Sequence, residues 1–390
     1  MNNQILNTDI QNFINKNIQG DPVKLILKGS SFFDVTIQEI VEQIEAKNKC
    51  QKKLPTWFQT KNIYYPNKLN IEQTSSEITA KYKANLISGD SIIDITGGFG
   101  VDCFAFAEKF KEVTHCEIND ELSAIAKHNF KKIGIKNIKT ISKSGLDYLE
   151  NNRKTYDWIY ADPSRRNDEK GKVFLLEDCL PSIPKNMASL FQFTDNILVK
   201  TSPVLDISSA VFELQNVKEV HVIAVQNEVK EVLYILKKKY SGRIQFKTIN
   251  ITKEQYQIFD FNLIDAEATY SFPLKYLYEP NAAILKSGGF IEVSKILNLS
   301  KLHTHSHLYT SKKLTDFPGR RFQVLKNIPY NKKRLLKLIP SNKANITTRN
   351  FPETVAQIRK KTGLKEGGDI YLFFTTDMEG DRKVLICEKV

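Results

Sequence analysis

No two of the five cysteines form a Cys-x-x-Cys pair. Cys50, Cys103, Cys116, Cys179 and Cys387 are scattered over 390 residues. That spacing offers neither a zinc site nor a disulfide framework, and it predicts reduced thiols in a cytoplasmic protein. No apolar run approaches the roughly 18 residues that a membrane-spanning helix needs. The opening residues, Met1-Asn2-Asn3-Gln4-Ile5, lack a basic stretch followed by an apolar one, so a secretory signal is not expected. What remains is a globular composition, 41% hydrophobic, with enough apolar material for a sizeable core. The length leaves room for two or three domains.

Acids are scarce in one stretch. Ser311 to Lys365 holds 15 Lys and Arg but only two acids, Asp316 and Glu353, an excess of 13. The whole chain has 57 basic and 44 acidic residues, so the remainder holds 42 of each and is neutral. A neutral body with one basic segment points to a polyanion, most simply nucleic acid; a solvated basic surface is the plainer alternative.

The stretch Ser91-Ile92-Ile93-Asp94-Ile95-Thr96-Gly97-Gly98-Phe99-Gly100-Val101-Asp102 organises the chain. It reads as a buried strand, a glycine turn and the start of an amphipathic helix, half of a nucleotide-binding βαβ unit. Glycines let a ligand approach the main chain, and the helix start offers free N–H groups. Glu117, with Ile118 beside it, ends the next strand about 20 residues on, where a ribose diol would be held. A dinucleotide fingerprint is missing, because Cys103 stands where G-x-G-x-x-G wants its third glycine.

Strand candidates follow at 91–95, 113–118, 137–142, 157–161, 195–199, 220–226 and 232–237, with helices between most of them. That alternation predicts a parallel, doubly wound sheet. The last two are too close for a parallel crossover and must be antiparallel. Asp162-Pro163-Ser164-Arg165-Arg166 follows the fourth strand, at the end where open α/β sheets bind ligands. The arginines could grip a phosphate or carboxylate, or simply form a salt bridge. Lys200-Thr201-Ser202-Pro203 follows strand five at the same end, and Lys200 and Asp206 are its polar candidates. Before the sheet, residues 1 to 85 read as mostly helical. Thr36 to Lys49 has Ile37, Ile40, Val41 and Ile44 at helical spacing, Leu54-Pro55-Thr56-Trp57-Phe58 breaks the pattern, and Ser75 or Ser76 could cap a helix running towards Ile87.

These motifs together resemble a bacterial family of class I S-adenosylmethionine (SAM)-dependent methyltransferases with a ferredoxin-like and a C-terminal THUMP-like domain. The turn resembles their motif I, D/E-x-G-x-G-x-G, with Thr96 in place of the first glycine. Asp162-Pro163-Ser164 resembles motif IV of amino-methylating enzymes, without its second proline or its aromatic. Glu72-Gln73-Thr74-Ser75-Ser76-Glu77, Val199 to Ile207 and Gln226 to Glu231 resemble further family stretches, as do Tyr276 to Gly288, Phe317 to Arg320, Ile346 to Pro352 and Gly367-Gly368-Asp369. The resemblance implies an α/β, Rossmann-like seven-stranded sheet with an N-terminal helical region and small C-terminal α+β domains. The expected division is 1–85 helical, 86–262 methyltransferase, 263–319 ferredoxin-like and 320–390 THUMP-like. It implies SAM held by Asp94, Thr96, Gly97, Gly98, Phe99, Gly100, Asp102, Glu117 and Ile118, with Ser144 or Asp147 at the adenine. Asp162, Pro163 and Ser164 are the expected catalytic set. Arg165, Arg166, Lys200, Ser202 and Pro203 are the expected substrate contacts.

The tail adds basic helices at Lys332 to Leu338 and Val355 to Thr362, and a hairpin around Glu379-Gly380-Asp381. Basic helices on a small sheet could track a phosphate backbone. His303, His305 and His307 would share one face if extended, but no acid or cysteine is near them, and no metal is expected. The expected activity is SAM-dependent methylation of RNA, tRNA or rRNA. Two other readings stay open: a SAM enzyme acting on a small molecule or protein, and a non-catalytic RNA-binding protein that keeps the fold.

Overall fold

The computed structural model describes residues 1–30, 32–165 and 175–390. They divide into two compact units. One comprises Met1–Val217 and Leu233–Ser241; the other comprises Lys218–Val232 and Gly242–Val390.

The first unit opens with helices Thr8–Lys16, Pro22–Lys28, Ile37–Lys53, Pro55–Gln59, Lys68–Gln73 and Glu77–Leu86. Ile37–Lys53 starts at a capping box, in which Thr36 accepts from the Glu39 amide and Glu39 accepts from the Thr36 amide at 2.8 Å. Its buried face carries Ile37, Ile40, Val41 and Ile44, the spacing read from the sequence. Leu54-Pro55 stops this helix only to start the next. Pro55 occupies the first turn of Pro55–Gln59, where its missing N–H costs nothing. Trp57 there is fully buried, 4.8 Å from the Phe104 ring.

The strands of this unit are β1 (Ser91–Asp94), β2 (Glu112–Cys116), β3 (Ile138–Ile141), β4 (Trp158–Ala161), β5 (Ser164–Arg165), β6 (Cys179–Leu180) and β7 (Asn196–Thr201). The main sheet runs β7-β4-β1-β2-β3, all parallel. Ile92, Ile93, Ile197 and Leu198 are fully buried, as strands covered on both faces require. β5 and β6 form a separate short antiparallel pair that the sequence pattern did not announce.

β8 (Val217–Val225) and β9 (Glu228–Lys237) are joined by Gln226 and Asn227, with φ of 52° and 63°. Two left-handed residues make the tight turn that suits an antiparallel hairpin. Of the stretch Gln226 to Glu231, all but the first two residues thus belong to β9. In the strand order β9 follows β7 and β8 follows β9, the seven-stranded arrangement of class I methyltransferases. The boundary between the units falls within this hairpin.

In the second unit β10 (Gln245–Ile251) runs parallel to β8, and β11 (Tyr256–Asn262) antiparallel to β10. A further sheet contains β12 (Tyr276–Pro280), β13 (Ser300–Lys301), β14 (Tyr309–Ser311), β15 (Gly319–Pro329), β16 (Asn345–Arg349), β17 (Ile370–Thr376) and β18 (Arg382–Lys389). Its order is β13-β14-β12-β15-β18-β17-β16. β15 pairs with β12 on one side and β18 on the other. One core cluster, including Leu277, Leu302, Phe322, Phe373 and Leu385, spans both sides of residue 319. The basic helices form at Lys332–Leu338 and Val355–Thr362 as the sequence indicated. The three histidines lie in a turn and not in a strand. His307 has φ of 52° and stacks on Phe290 at 3.6 Å, so no common imidazole face forms. Among the described residues no helix is long and apolar enough to cross a membrane.

Candidate active site

β1 delivers Asp94 to the end of the sheet, and the chain then turns tightly. The Gly97 amide donates to Cys116 O at 2.7 Å, fastening the turn to β2. A Cβ on Gly97 would stand 2.4 Å from His115 Nε2, so only glycine fits. Gly98 has φ of +54°, yet its Cβ direction is open, with only Thr96 O at 3.8 Å. The main chain at Gly98 is therefore bare enough for a ligand to approach. Gly100, φ +87°, begins the helix Val101–Ala107 and packs on Phe130.

Glu117 is tied to this turn. Its Oε2 accepts from the Gly98 amide and its Oε1 from the Asn119 amide, both at 2.8 Å. Beneath the turn, buried His115 faces Gly98 O through Nε2 at 3.1 Å. Burial holds the imidazole below its usual pKa.

Thr96 joins the two candidate motifs. Asp94 Oδ1 accepts from the Thr96 amide at 2.9 Å and from its hydroxyl at 3.1 Å. Thr96 Oγ1 in turn accepts from the Asp162 amide at 2.7 Å. Burial pushes the Asp94 carboxyl up to about 7, with Asp102 adding to the shift and the Thr96 bonds opposing it. The Asp162 carboxylate, Oδ2, pairs with Lys200 Nζ.

A second buried array lies alongside. Asp102 Oδ2 accepts from Tyr160 at 2.8 Å and from Ser75 at 2.9 Å, while Oδ1 faces Lys83 Nζ at 3.2 Å. Burial opposes ionisation of Asp102, but the charges of Lys83 and Lys200 and these hydrogen bonds outweigh it, and its pKa falls. Ser76 caps the helix Glu77–Leu86, which frees Ser75 to reach Asp102. The sequence had left that choice open.

These groups surround one cavity of about 710 Å³. Asp94, Thr96, Gly97, Gly98, Phe99, Asp102, Glu117, Ile118, Ser144, Asp162 and Ser164 of the expected residues line it; Gly100 and Pro163 stand behind them in the chain. Ser144 lines the cavity and caps the helix Gly145–Asn152, whereas Asp147 is exposed in that helix's first turn and does not. Lys200 is buried behind Asp162 and does not line the cavity, nor do Ser202 and Pro203. Arg166 and the side chain of Arg165 lie outside the described residues. Ser75 is also in the wall, as are Gly145, Tyr160, Leu180 and Pro181, which were not singled out as ligands. A Cβ on Gly145 would stand 2.4 Å from Ile95, so glycine lets the start of its helix lie against the end of β1. Leu180 and Pro181 carried no sequence signal, since only the pairing of β5 with β6 brings them there. Among the described residues no three His, Cys, Asp or Glu groups are placed to hold a metal.

Comparison with known proteins agrees with this architecture. A family model described as a ferredoxin-like domain matches residues 276–318, and one described as THUMP domain-like matches 319–389. The crystal structure of a Porphyromonas gingivalis W83 protein assigned to the methyltransferases superposes with a TM-score of 0.88, at 30% identity, over 98% of each chain. An uncharacterized RNA methyltransferase of Mycoplasma mobile is 29% identical over 147 residues, 36% of this chain and 39% of that relative's length.

Proposed function

The chain belongs to the methyltransferase family of the Porphyromonas gingivalis protein, and from that premise we propose that it transfers a methyl group from SAM to RNA, with residues 86–262 carrying the chemistry. The observation that carries the proposal is the meeting of the glycine turn, Glu117 and Asp162 in one cavity. The residues suit the cofactor. Gly98 leaves its Cβ direction open, and each Glu117 oxygen keeps a lone pair beyond its one amide bond. When bound, SAM supplies an electrophilic methyl on a sulfonium.

In this reading Gly97 to Gly100 take the methionine portion, Glu117 accepts from the ribose diol, and Ile118 and Ser144 flank the adenine. Ser144 is preferred to Asp147 because it faces the cavity. Asp162, with one oxygen held by Lys200, offers Oδ1 to a target N–H and aims its lone pair. That is catalysis by alignment in a dry site and needs no covalent nucleophile. Pro163 and Ser164 shape the same rim, and Arg165, Arg166, Ser202 and Pro203 are proposed on the substrate side. Lys200 acts through Asp162.

RNA is favoured by the Mycoplasma mobile relative's name and by the exposed Lys332, Lys333, Arg334 and Lys337 on one helix. The same reading places the protein in the cytoplasm, in keeping with five cysteines that form no disulfide. The test is mass spectrometry of nucleosides in total RNA from a deletion strain and its parent. It is paired with labelled SAM and purified protein on the deletion strain's RNA. One methylated nucleoside lost in the strain and restored in vitro supports the proposal. Label entering protein or small molecules, or no label at all, overturns it.

A further inference from the structure

We propose that Thr96 is a positioning residue whose hydroxyl fixes the main chain at Asp162, and so fixes where the Asp162 carboxylate stands relative to the glycine turn. This rests on the reading of Asp162 as the group that aims the nucleophile.

The family pattern has glycine at this place, and a β-branched residue in a tight turn needs a reason. The hydroxyl supplies one. The Asp162 amide can only donate, so Thr96 Oγ1 must accept from it, at 2.7 Å. The hydroxyl proton is then left for Asp94 Oδ1, at 3.1 Å. The direction of both bonds is thus set. Asp94 is itself held on both oxygens. It is buried, and besides Thr96 it accepts from Cys103 Sγ at 3.4 Å through Oδ2.

The location matters as much as the geometry. β1 and β4 are in register as far as Asp94 and Tyr160. The Ile95 amide still reaches Tyr160 O at 3.1 Å. Past that point the pairing of β1 with β4 ends, and Thr96 Oγ1 supplies the next tie between the two segments. Asp162 therefore has two tethers: its main chain is held by Thr96, and its side chain by Lys200. Lys200 stands outside the cavity lining, and Thr96, which does line it, has its hydroxyl taken up by Asp94 and the Asp162 amide. Removing the hydroxyl should leave the Asp162 amide without its partner and let the carboxylate wander by a fraction of an ångström. Alignment chemistry is sensitive to displacements of that size.

The experiment compares Thr96→Val, which keeps the shape and loses the hydroxyl, with Thr96→Ser, which keeps the hydroxyl. Three readouts are taken on the full chain. Calorimetry measures SAM affinity. Initial rates with labelled SAM on RNA from the deletion strain give kcat and KM. Hydrogen exchange by mass spectrometry follows the peptide covering Trp158–Ser164. The expected result for Thr96→Val is kcat lower by roughly 10- to 100-fold, SAM affinity and RNA KM within about threefold, and faster exchange at Asp162. Thr96→Ser should restore kcat to within about threefold and restore slow exchange. The proposal is overturned if Thr96→Val keeps parental kcat, or if its SAM affinity falls as far as its kcat, since the residue would then act through the cofactor loop. It is also overturned if exchange at Asp162 is unchanged. If Thr96→Val does not fold, Thr96→Gly, the residue of the family pattern, takes its place with the same criteria. A parental enzyme that leaves the RNA unlabelled would overturn the RNA reading instead, and the exchange measurement would still decide whether Thr96 holds Asp162.

Discussion

Single residues show where local reading succeeds and where it stops. Asp162 was legible because it follows a strand and precedes a proline. Its pairing with Lys200, 38 positions away, was not, because no local pattern encodes that distance. Asp162→Ala should cut kcat by about 100-fold or more with little change in SAM affinity, while Asp162→Asn, which keeps an acceptor oxygen, should fall modestly. Steady-state kinetics on the deletion strain's RNA checks both; near-parental turnover in Asp162→Ala would make the motif structural. Glu117 was legible by its spacing, but its two amide bonds were not. Glu117→Ala should therefore weaken SAM binding by roughly tenfold or more, and Glu117→Gln by less, since one acceptor survives. Calorimetry separates the two. Asp94 makes a prediction about pH. Burial raises its folded pKa to about 7, whereas the unfolded carboxyl ionises near the ordinary value. Between those two values the folded state holds a proton that the unfolded state has lost. Stability contributed by this group is thus full at low pH and falls as pH rises towards 7, by up to about 1.4 kcal/mol per pH unit. Urea unfolding from pH 5 to 8 should show this slope in the parent and a flatter one in Asp94→Asn. Equal slopes would refute it.

Among the elements, periodicity made the helices and central strands readable. Ile37, Ile40, Val41 and Ile44 announced one helix, and the isoleucines of β1 announced a covered strand. β10 and β11 are not among the strand candidates, although β11 alternates exposed and buried residues. The turn between β1 and its helix was recognised by its glycines, but sequence could not rank them. The structure does, and the ranking is testable. Gly97→Ala should disturb the fold, because its Cβ would press on buried His115, and overpacking of this kind typically costs about 1–3 kcal/mol. Gly98→Ala has room and pays only for its left-handed φ, roughly 1–2 kcal/mol, so it should stay folded while its methyl enters the open side where a ligand would come close. Thermal melts and SAM calorimetry on the two variants should separate stability from binding. If Gly98→Ala binds SAM as tightly as the parent, the methionine portion does not lie over this turn.

At the scale of the molecule, the basic excess was the plainest signal in the sequence, and the sheet that carries it was the most hidden. β15 pairs Arg320 with Glu279 and Phe322 with Lys389, partners 41 and 67 positions apart, so one sheet runs across residue 319, where the two family models meet. Family resemblance separates those modules; hydrogen bonding joins them. A truncation after Pro318 would strip β12 of its neighbour and open the cluster around Leu277 and Phe322, so lost RNA binding in such a fragment would say nothing about charge. Substitution of exposed charges is the sound probe. Lys332, Lys333 and Lys337 lie on one short helix, and among the described residues none has an acid within ion-pair distance. Their charge is thus available to a partner, while Leu335 anchors the helix in the core and Leu336 and Leu338 pack against the same cluster. Changing the three lysines to glutamine should leave stability and SAM affinity close to parental, because surface charge changes of this kind are nearly neutral. RNA affinity should fall, and it should fall less steeply with salt. If each lysine meets a phosphate, the slope of log affinity against log salt should drop by ~2 to 3, from about 0.7–0.9 per contact. A filter-binding series across salt concentrations measures that slope directly. An unchanged slope with unchanged affinity would move the RNA-binding surface away from this helix, to Lys360 or to the arginines beside Asp162. A parental slope with reduced affinity would mean that the lysines act on the shape of the domain and not on the phosphates.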